Sequence, residues 1–138
     1  MKIELERKSS AFHFEAKNET GNSVFLDASP AMGGSGHGVR PMELLLMGLG
    51  GCSGIDVISI LNKQRQNIGT FKVTIDGERE TGNDANVFKK IHIHFEVSGD
   101  VESEKLERAI ELSLDKYCSV AKTLKETAEI THSFTIRN

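Results

Sequence analysis

From Pro41 to Arg65 the chain reads PMELLLMGLGGCSGIDVISILNKQR, a stretch apolar on nearly every side with one cysteine at its midpoint. Pro41 suits a first helical position, where its missing N–H would be unsatisfied anyway. As one helix the stretch would be roughly 37 Å long at about 1.5 Å per residue. A compact chain of 138 residues has a radius of gyration of about 14 Å, so this helix crosses the whole body. Leu44, Leu45, Leu46, Met47, Leu49, Ile55, Val57, Ile58, Ile60 and Leu61 point in all directions around it. A helix apolar all round must be buried all round. One small domain arranges that with difficulty, so the stretch predicts a partner subunit.

The rest of the composition excludes several classes of function. The net charge is −3, and Lys and Arg are not clustered, which argues against nucleic acid as a partner. The N-terminal MKIELERKSS has no hydrophobic core, so no signal peptide is expected and the location is predicted to be cytoplasmic. The apolar run opens at Glu43 and is broken at Asp56 and Ser59. It falls short of the about 20 predominantly apolar residues a membrane span requires. In a reducing compartment, two cysteines point to thiol or redox chemistry before a structural disulfide.

Around the helix the pattern alternates. Lys2–Arg7, Ala11–Ala16 and Ser23–Ala28 read as short strands joined by tight connections. Ser29–Arg40, SPAMGGSGHGVR, reads as a flexible glycine-rich loop whose His37 borders the thiol region. Gly69 is expected to cap the long helix. Phe71–Glu80 and Phe88–Val97 form a hairpin, Ser103 caps a second helix striped by Leu106, Ile110, Leu114 and Tyr117, and a third helical stretch covers about 118–126. Glu129–Arg137 closes the chain as a strand. This order predicts a single α+β domain, 1–138, built on antiparallel strands.

Two cysteines carry the candidate chemistry. Cys52 alone reads most simply as a small core residue. Yet Gly48, Gly50, Gly51 and Gly54 surround it, each costing about 1 kcal/mol against Ala in a helix interior. That points to close approach of another backbone, compatible with packing or with chemistry. Cys118 opens a helical stretch near Lys116 and Lys122, and both influences favour thiolate; the plain alternative is the end of an amphipathic stripe. Two helices packed about 8–10 Å apart could bring the thiols within disulfide reach. Asp56, one turn after Cys52, would raise a neighbouring thiol pKa if buried unpaired. His92 and His94 alternate with Ile91, Ile93 and Phe95, so they are expected on the solvated face of their strand and not at a metal. Gly33–Gly38 lacks the Gly-Lys-Ser/Thr ending of a phosphate loop.

Pro41-Met-Glu43-Leu-Leu-Leu-Met-Gly-Leu-Gly-Gly-Cys52-Ser-Gly-Ile-Asp-Val-Ile, followed at matching distance by Tyr117-Cys118-Ser-Val-Ala-Lys-Thr-Leu124, resembles the OsmC/Ohr family across essentially the whole chain. The resemblance implies an α+β OsmC-like fold, an intertwined homodimer with central buried helices wrapped by antiparallel β-sheets. It also implies thiol-dependent reduction of organic hydroperoxides in oxidative-stress defence, with Cys52 peroxidatic and Cys118 resolving. No resident cofactor or metal is implied; an external dithiol, lipoyl-like by analogy, would regenerate the thiols.

The best-characterised peroxidases of that family pair a carboxylate directly after the proline with an early arginine. Here Met42 takes that place and Glu43 follows it, about 100° around the helix. Arg7 and Arg40 are the available arginines, Arg40 the nearer in sequence. The expected site is therefore Cys52 and Cys118, with Glu43 and Arg40 positioning or polarising. The alternative is a non-catalytic OsmC-like protein that holds a small apolar or electrophilic metabolite at the dimer seam.

Overall fold

The computed structural model describes residues 1–138, which divide into two compact units, Met1–Leu45 and Leu46–Asn138. The class is α+β, as the resemblance implies. In the first unit, β1 (Glu4–Arg7), β2 (Phe14–Lys17) and β3 (Ser23–Leu26) form an antiparallel sheet in the order β1-β2-β3. Leu5, Ala16 and Val24 align across it on one face. Leu5 and Val24 remain exposed on that face.

The glycine-rich loop after β3 is ordered, against expectation, because Asp27 organises it. The Asp27 side chain, 2% exposed, accepts the backbone N–H groups of Ala28, Ser35 and His37 and the Ser35 hydroxyl. Those donors hold its carboxyl at about 2, the Ser35 hydroxyl contributing most. Gly34 is required here: a Cβ would sit 1.8 Å from the Ala28 carbonyl oxygen. Val39 then bridges Leu26 in parallel before the long helix begins.

That helix, α1, runs Pro41–Lys63. Its C-terminal reversal falls at Arg65, with φ 58°, and not at Gly69. Gly69 lies instead inside β4 (Asn67–Arg79), at an irregularity where a Cβ would meet the Ser98 hydroxyl. In the second unit β4 pairs antiparallel with β5 (Phe88–Asp100), the expected hairpin. The closing strand, β6 (Glu129–Arg137), pairs with β5 in parallel, so this sheet is mixed and the all-antiparallel expectation needs correcting. The reason is the helical crossover between them, α2 (Ser103–Leu112), a π-helical turn (Ser113–Tyr117) and α3 (Ser119–Leu124). It returns the chain to the end of the sheet where β5 began. Glu102, not Ser103, is the N-cap of α2, and it makes no side-chain capping bond.

The core of this unit joins Leu49, Val57 and Leu61 of α1 to Ile91, Ile93, Phe95 and Val97 of β5 and to Leu106, Ala109 and Ile110 of α2, all buried. Two of the helix glycines serve the contact with the sheet. A Cβ at Gly50 would lie 2.8 Å from Ile75 Cδ1, and one at Gly54 would touch Phe71. Gly48 and Gly51 face open space. The helix is not buried all round: Met47 and Ile55 are exposed, Ile55 at 71%. By length and hydropathy alone α1 suffices to cross a membrane, contrary to the sequence reading. Its buried stripe is Leu49, Ser53, Gly54, Val57 and Leu61, and Gly50 and Gly54 rest on this chain's own sheet.

Candidate functional site

The mixed sheet supports α1 from below through Gly50 and Gly54, and this fixes the azimuth of Cys52 and Asp56. Four residues apart, the two lie on one helix face, one turn from each other. Cys118 arrives from the crossover. The π-helical turn at Ser113–Tyr117 widens the end of α2, an irregularity frequent at functional sites. Its last hydrogen bond runs from the Cys118 N–H to the Ser113 carbonyl, 2.7 Å. Cys118 is then the N-cap of α3, its sulfur accepting the Ala121 N–H at 3.3 Å.

The result is a cluster. The sulfurs of Cys52 and Cys118 and a carboxylate oxygen of Asp56 all lie within 4.8 Å of one another. Both thiols are free. Cys52 and Asp56 are half-buried, and Cys118 is 3% exposed. The Ser113 hydroxyl donates to Asp56 Oδ2 at 2.9 Å and ties the crossover to α1. Sequence reasoning missed Ser113. Its signal was a small polar residue at stripe spacing between Ile110 and Tyr117.

The electrostatics of the cluster bear on Cys118. Burial pushes the Cys118 thiol up to about 11, and the neighbouring Cys52 and Asp56 side chains push the same way. The Ala121 N–H opposes them without prevailing. The sequence expectation that a helix start and two lysines favour thiolate here is thus reversed. Lys116 is stacked over Tyr117, 5.3 Å from the ring centroid, and Lys125 is engaged by the Leu114 carbonyl and Asp115. Cys118 also borders an open hollow of about 440 Å³ lined by Lys116, Lys122 and Lys125.

Arg40 and Glu43 belong to the first unit, where the Glu43 carboxylate accepts the Arg40 backbone N–H at 2.9 Å. This is the reciprocal half of a capping box, with Glu at the third helical position. The Arg7 guanidinium is spent on the carbonyls of Ser10 and Ala11. His92 and His94 stand on the polar face of the mixed sheet, bonded to the hydroxyls of Thr131, Ser133 and Thr135. The solvated-face reading of both histidines therefore stands.

Comparison with known proteins agrees with this fold. Residues 34–133 match the sequence profile described as OsmC-like protein, and the chain belongs to the OsmC-like family. Protein YhfA of Escherichia coli (strain K12) is 39% identical over 125 residues, covering 89% of each chain. A crystal structure of a hypothetical protein from Aquifex aeolicus VF5 superposes with a TM-score of 0.81 at 34% identity, over 99% of this chain and 97% of that one. An organic hydroperoxide resistance protein OsmC from Legionella pneumophila shares the fold, with a TM-score of 0.73 over 98% of this chain and 97% of that one. At 14% identity that likeness concerns the fold alone.

Proposed function

We propose that the protein is a two-cysteine peroxidase that reduces organic hydroperoxides as a defence against oxidative stress. The observation that carries this reading is the approach of Cys52 and Cys118 to within 4.8 Å from two separate elements. Membership of the OsmC-like family supports the substrate class.

The half-buried Cys52 is the attacking group. Its thiolate takes the outer peroxide oxygen, the O–O bond breaks, the alcohol leaves with a proton from solvent, and Cys52 becomes a sulfenic acid. The Cys118 thiol then attacks that sulfur, water departs, and a disulfide joins the two. A buried thiol raised to about 11 is a poor first nucleophile at neutral pH. Beside an electrophilic sulfenic acid it is a suitable second one. An external dithiol, lipoyl-like, returns both residues to thiols, with no resident cofactor. Arg40 and Glu43 take a positioning role by the family resemblance alone; unchanged turnover in Glu43→Gln would remove Glu43 from the scheme.

The active species is a homodimer in the cytoplasm. The exposed stripe of Met47, Gly51 and Ile55 on α1 and the exposed apolar face of the β1-β2-β3 sheet favour a second copy as cover. The same stripe favours one competing reading, a non-catalytic protein holding an apolar or electrophilic metabolite there. Single-turnover mixing of reduced protein with cumene hydroperoxide separates the two. The peroxidase consumes one equivalent and gains a 52–118 disulfide by mass. Cys52→Ser consumes none, and Cys118→Ser stops at a dimedone-trappable sulfenic acid. Turnover that survives Cys52→Ser sinks the proposal. A retained apolar ligand in native mass spectrometry, with no peroxide consumed, establishes the binding reading instead.

A further inference from the structure

We propose that the reduced site also binds one thiophilic divalent cation, with Cys52, Asp56 and Cys118 as its protein ligands and Zn²⁺ as the probe. The argument begins with geometry. Cys52 and Asp56 are one turn apart on α1, and Cys118 meets them from the N-cap of α3, so the three donors converge from two elements. All three ligand atoms lie within 4.8 Å of one another. Bond lengths of about 2.3 Å to sulfur and 2.0–2.2 Å to oxygen put tetrahedral zinc ligands roughly 3.6–3.8 Å apart. An inward movement of about 1 Å, within ordinary side-chain freedom, closes the site.

The donor chemistry selects the ion. Two thiolates and one carboxylate suit zinc and exclude magnesium and calcium, which take oxygen ligands. Three protein ligands leave a fourth position for water. Asp56 is already oriented as an outer-shell partner would orient it, Oδ2 held by the Ser113 hydroxyl at 2.9 Å. The placement of a carboxylate beside two thiols, awkward for making a free thiolate, becomes intelligible when a divalent cation offsets two of the three negative charges.

Binding replaces two S–H bonds by two metal–sulfur bonds and releases two protons. The consequence for turnover rests on the peroxidase reading: the bound cation draws charge from the Cys52 sulfur and slows its attack on peroxide without abolishing it. Oxidation reverses the binding. The two thiolates give two electrons to a hydroperoxide, the O–O bond breaks and the S–S bond forms. The oxygens leave as alcohol and water with two protons from solvent, and the cation departs because a disulfide offers no thiolate.

The test is titration of the reduced full chain with Zn²⁺ by calorimetry, and with Co²⁺ by absorption. The expected result is one ion per chain, a sulfur-to-cobalt charge-transfer band, and no such binding by the disulfide form. Cys52→Ser, Cys118→Ser and Asp56→Asn each remove it, and Ser113→Ala weakens it about ten-fold. Absence of the band, or binding that survives in any one of the three ligand variants, overturns the proposal. His92 and His94 would be the evident source of surviving binding. None of these readouts uses peroxide turnover, so this proposal and the peroxidase reading fail separately.

Discussion

Ser113 donates its hydroxyl to Asp56 across 2.9 Å, 57 residues apart in sequence, and so pins the π-helical turn to the helix that carries Cys52. Without that bond nothing polar in the crossover would hold the carboxylate, and the turn that delivers Cys118 would lose its anchor. Removing the hydroxyl from a charged, half-buried acceptor costs about 1–2 kcal/mol. Ser113→Ala is therefore expected to lower the unfolding free energy from urea titration by that amount and to slow disulfide formation after Cys52 is oxidised. Asp56→Asn keeps an acceptor for the hydroxyl and should cost less. An unchanged midpoint in Ser113→Ala would show that packing alone holds the turn.

The two thiols should also label in a fixed order. With a chelator present to keep the site metal-free, iodoacetamide is expected to modify Cys52 first. Cys118 is 3% exposed, and its thiol is pushed up to about 11. An unperturbed cysteine titrates near about 8.5, so Cys118 carries on the order of a hundred-fold less thiolate at pH 7. Its labelling rate should rise about ten-fold per pH unit up to about 11 and level off above it. Mass spectrometry of timed samples reads both sites at once. Equal rates, or Cys118 reacting first, would contradict the assignment of Cys118 as the second nucleophile.

Asp27 makes the first unit acid-sensitive. Its carboxyl lies at about 2 in the folded chain against an ordinary value of 3.8. A group with a depressed folded pKa stabilises above the unfolded value, and loses that contribution as pH falls through the folded one. The wild-type urea midpoint should accordingly drop between about pH 4 and pH 2 more steeply than that of Asp27→Asn. At pH 7 the variant should be the less stable, because an amide cannot accept all four donors. A constant difference between the two across this window would show that Asp27 does not bind the loop through its charge.

How much of this was legible in the sequence varies with the range of the forces involved. The long helix follows from its unbroken apolar run, and both hairpin strands with the core residues Ile91, Ile93 and Phe95 follow from periodicity, because burial reads one side chain at a time. The two cysteines follow from their motifs. The parallel pairing of β6 does not, since strand direction depends on where a 28-residue crossover deposits the chain. The ordered loop escaped for a related reason: glycines read as flexible until a buried carboxylate gathers their N–H groups, and Asp27 carries no local mark of that role. The Cys118 pKa was read with the wrong sign. Helix position and lysines were visible in sequence, whereas burial beside Cys52 and Asp56 is a tertiary fact, and burial prevails.

The stripe on α1 gives the last prediction. Met47, Gly51 and Ile55 recur every fourth residue on one face; Ile55 is 71% exposed, and a Cβ at Gly51 would meet nothing within 4 Å. In a lone chain Gly51→Ala should stabilise by about 1 kcal/mol through helix propensity, and Ile55→Asp should be nearly neutral. If a second copy covers this face, both substitutions act in the opposite sense. An added methyl at Gly51 separates the surfaces, and a carboxylate at Ile55 is buried without a partner. Sedimentation equilibrium is expected to show a dimer for the wild type and a monomer for Ile55→Asp, with Gly51→Ala weakening association. A monomeric wild type, or an Ile55→Asp variant that stays dimeric, would leave the homodimer without its proposed interface.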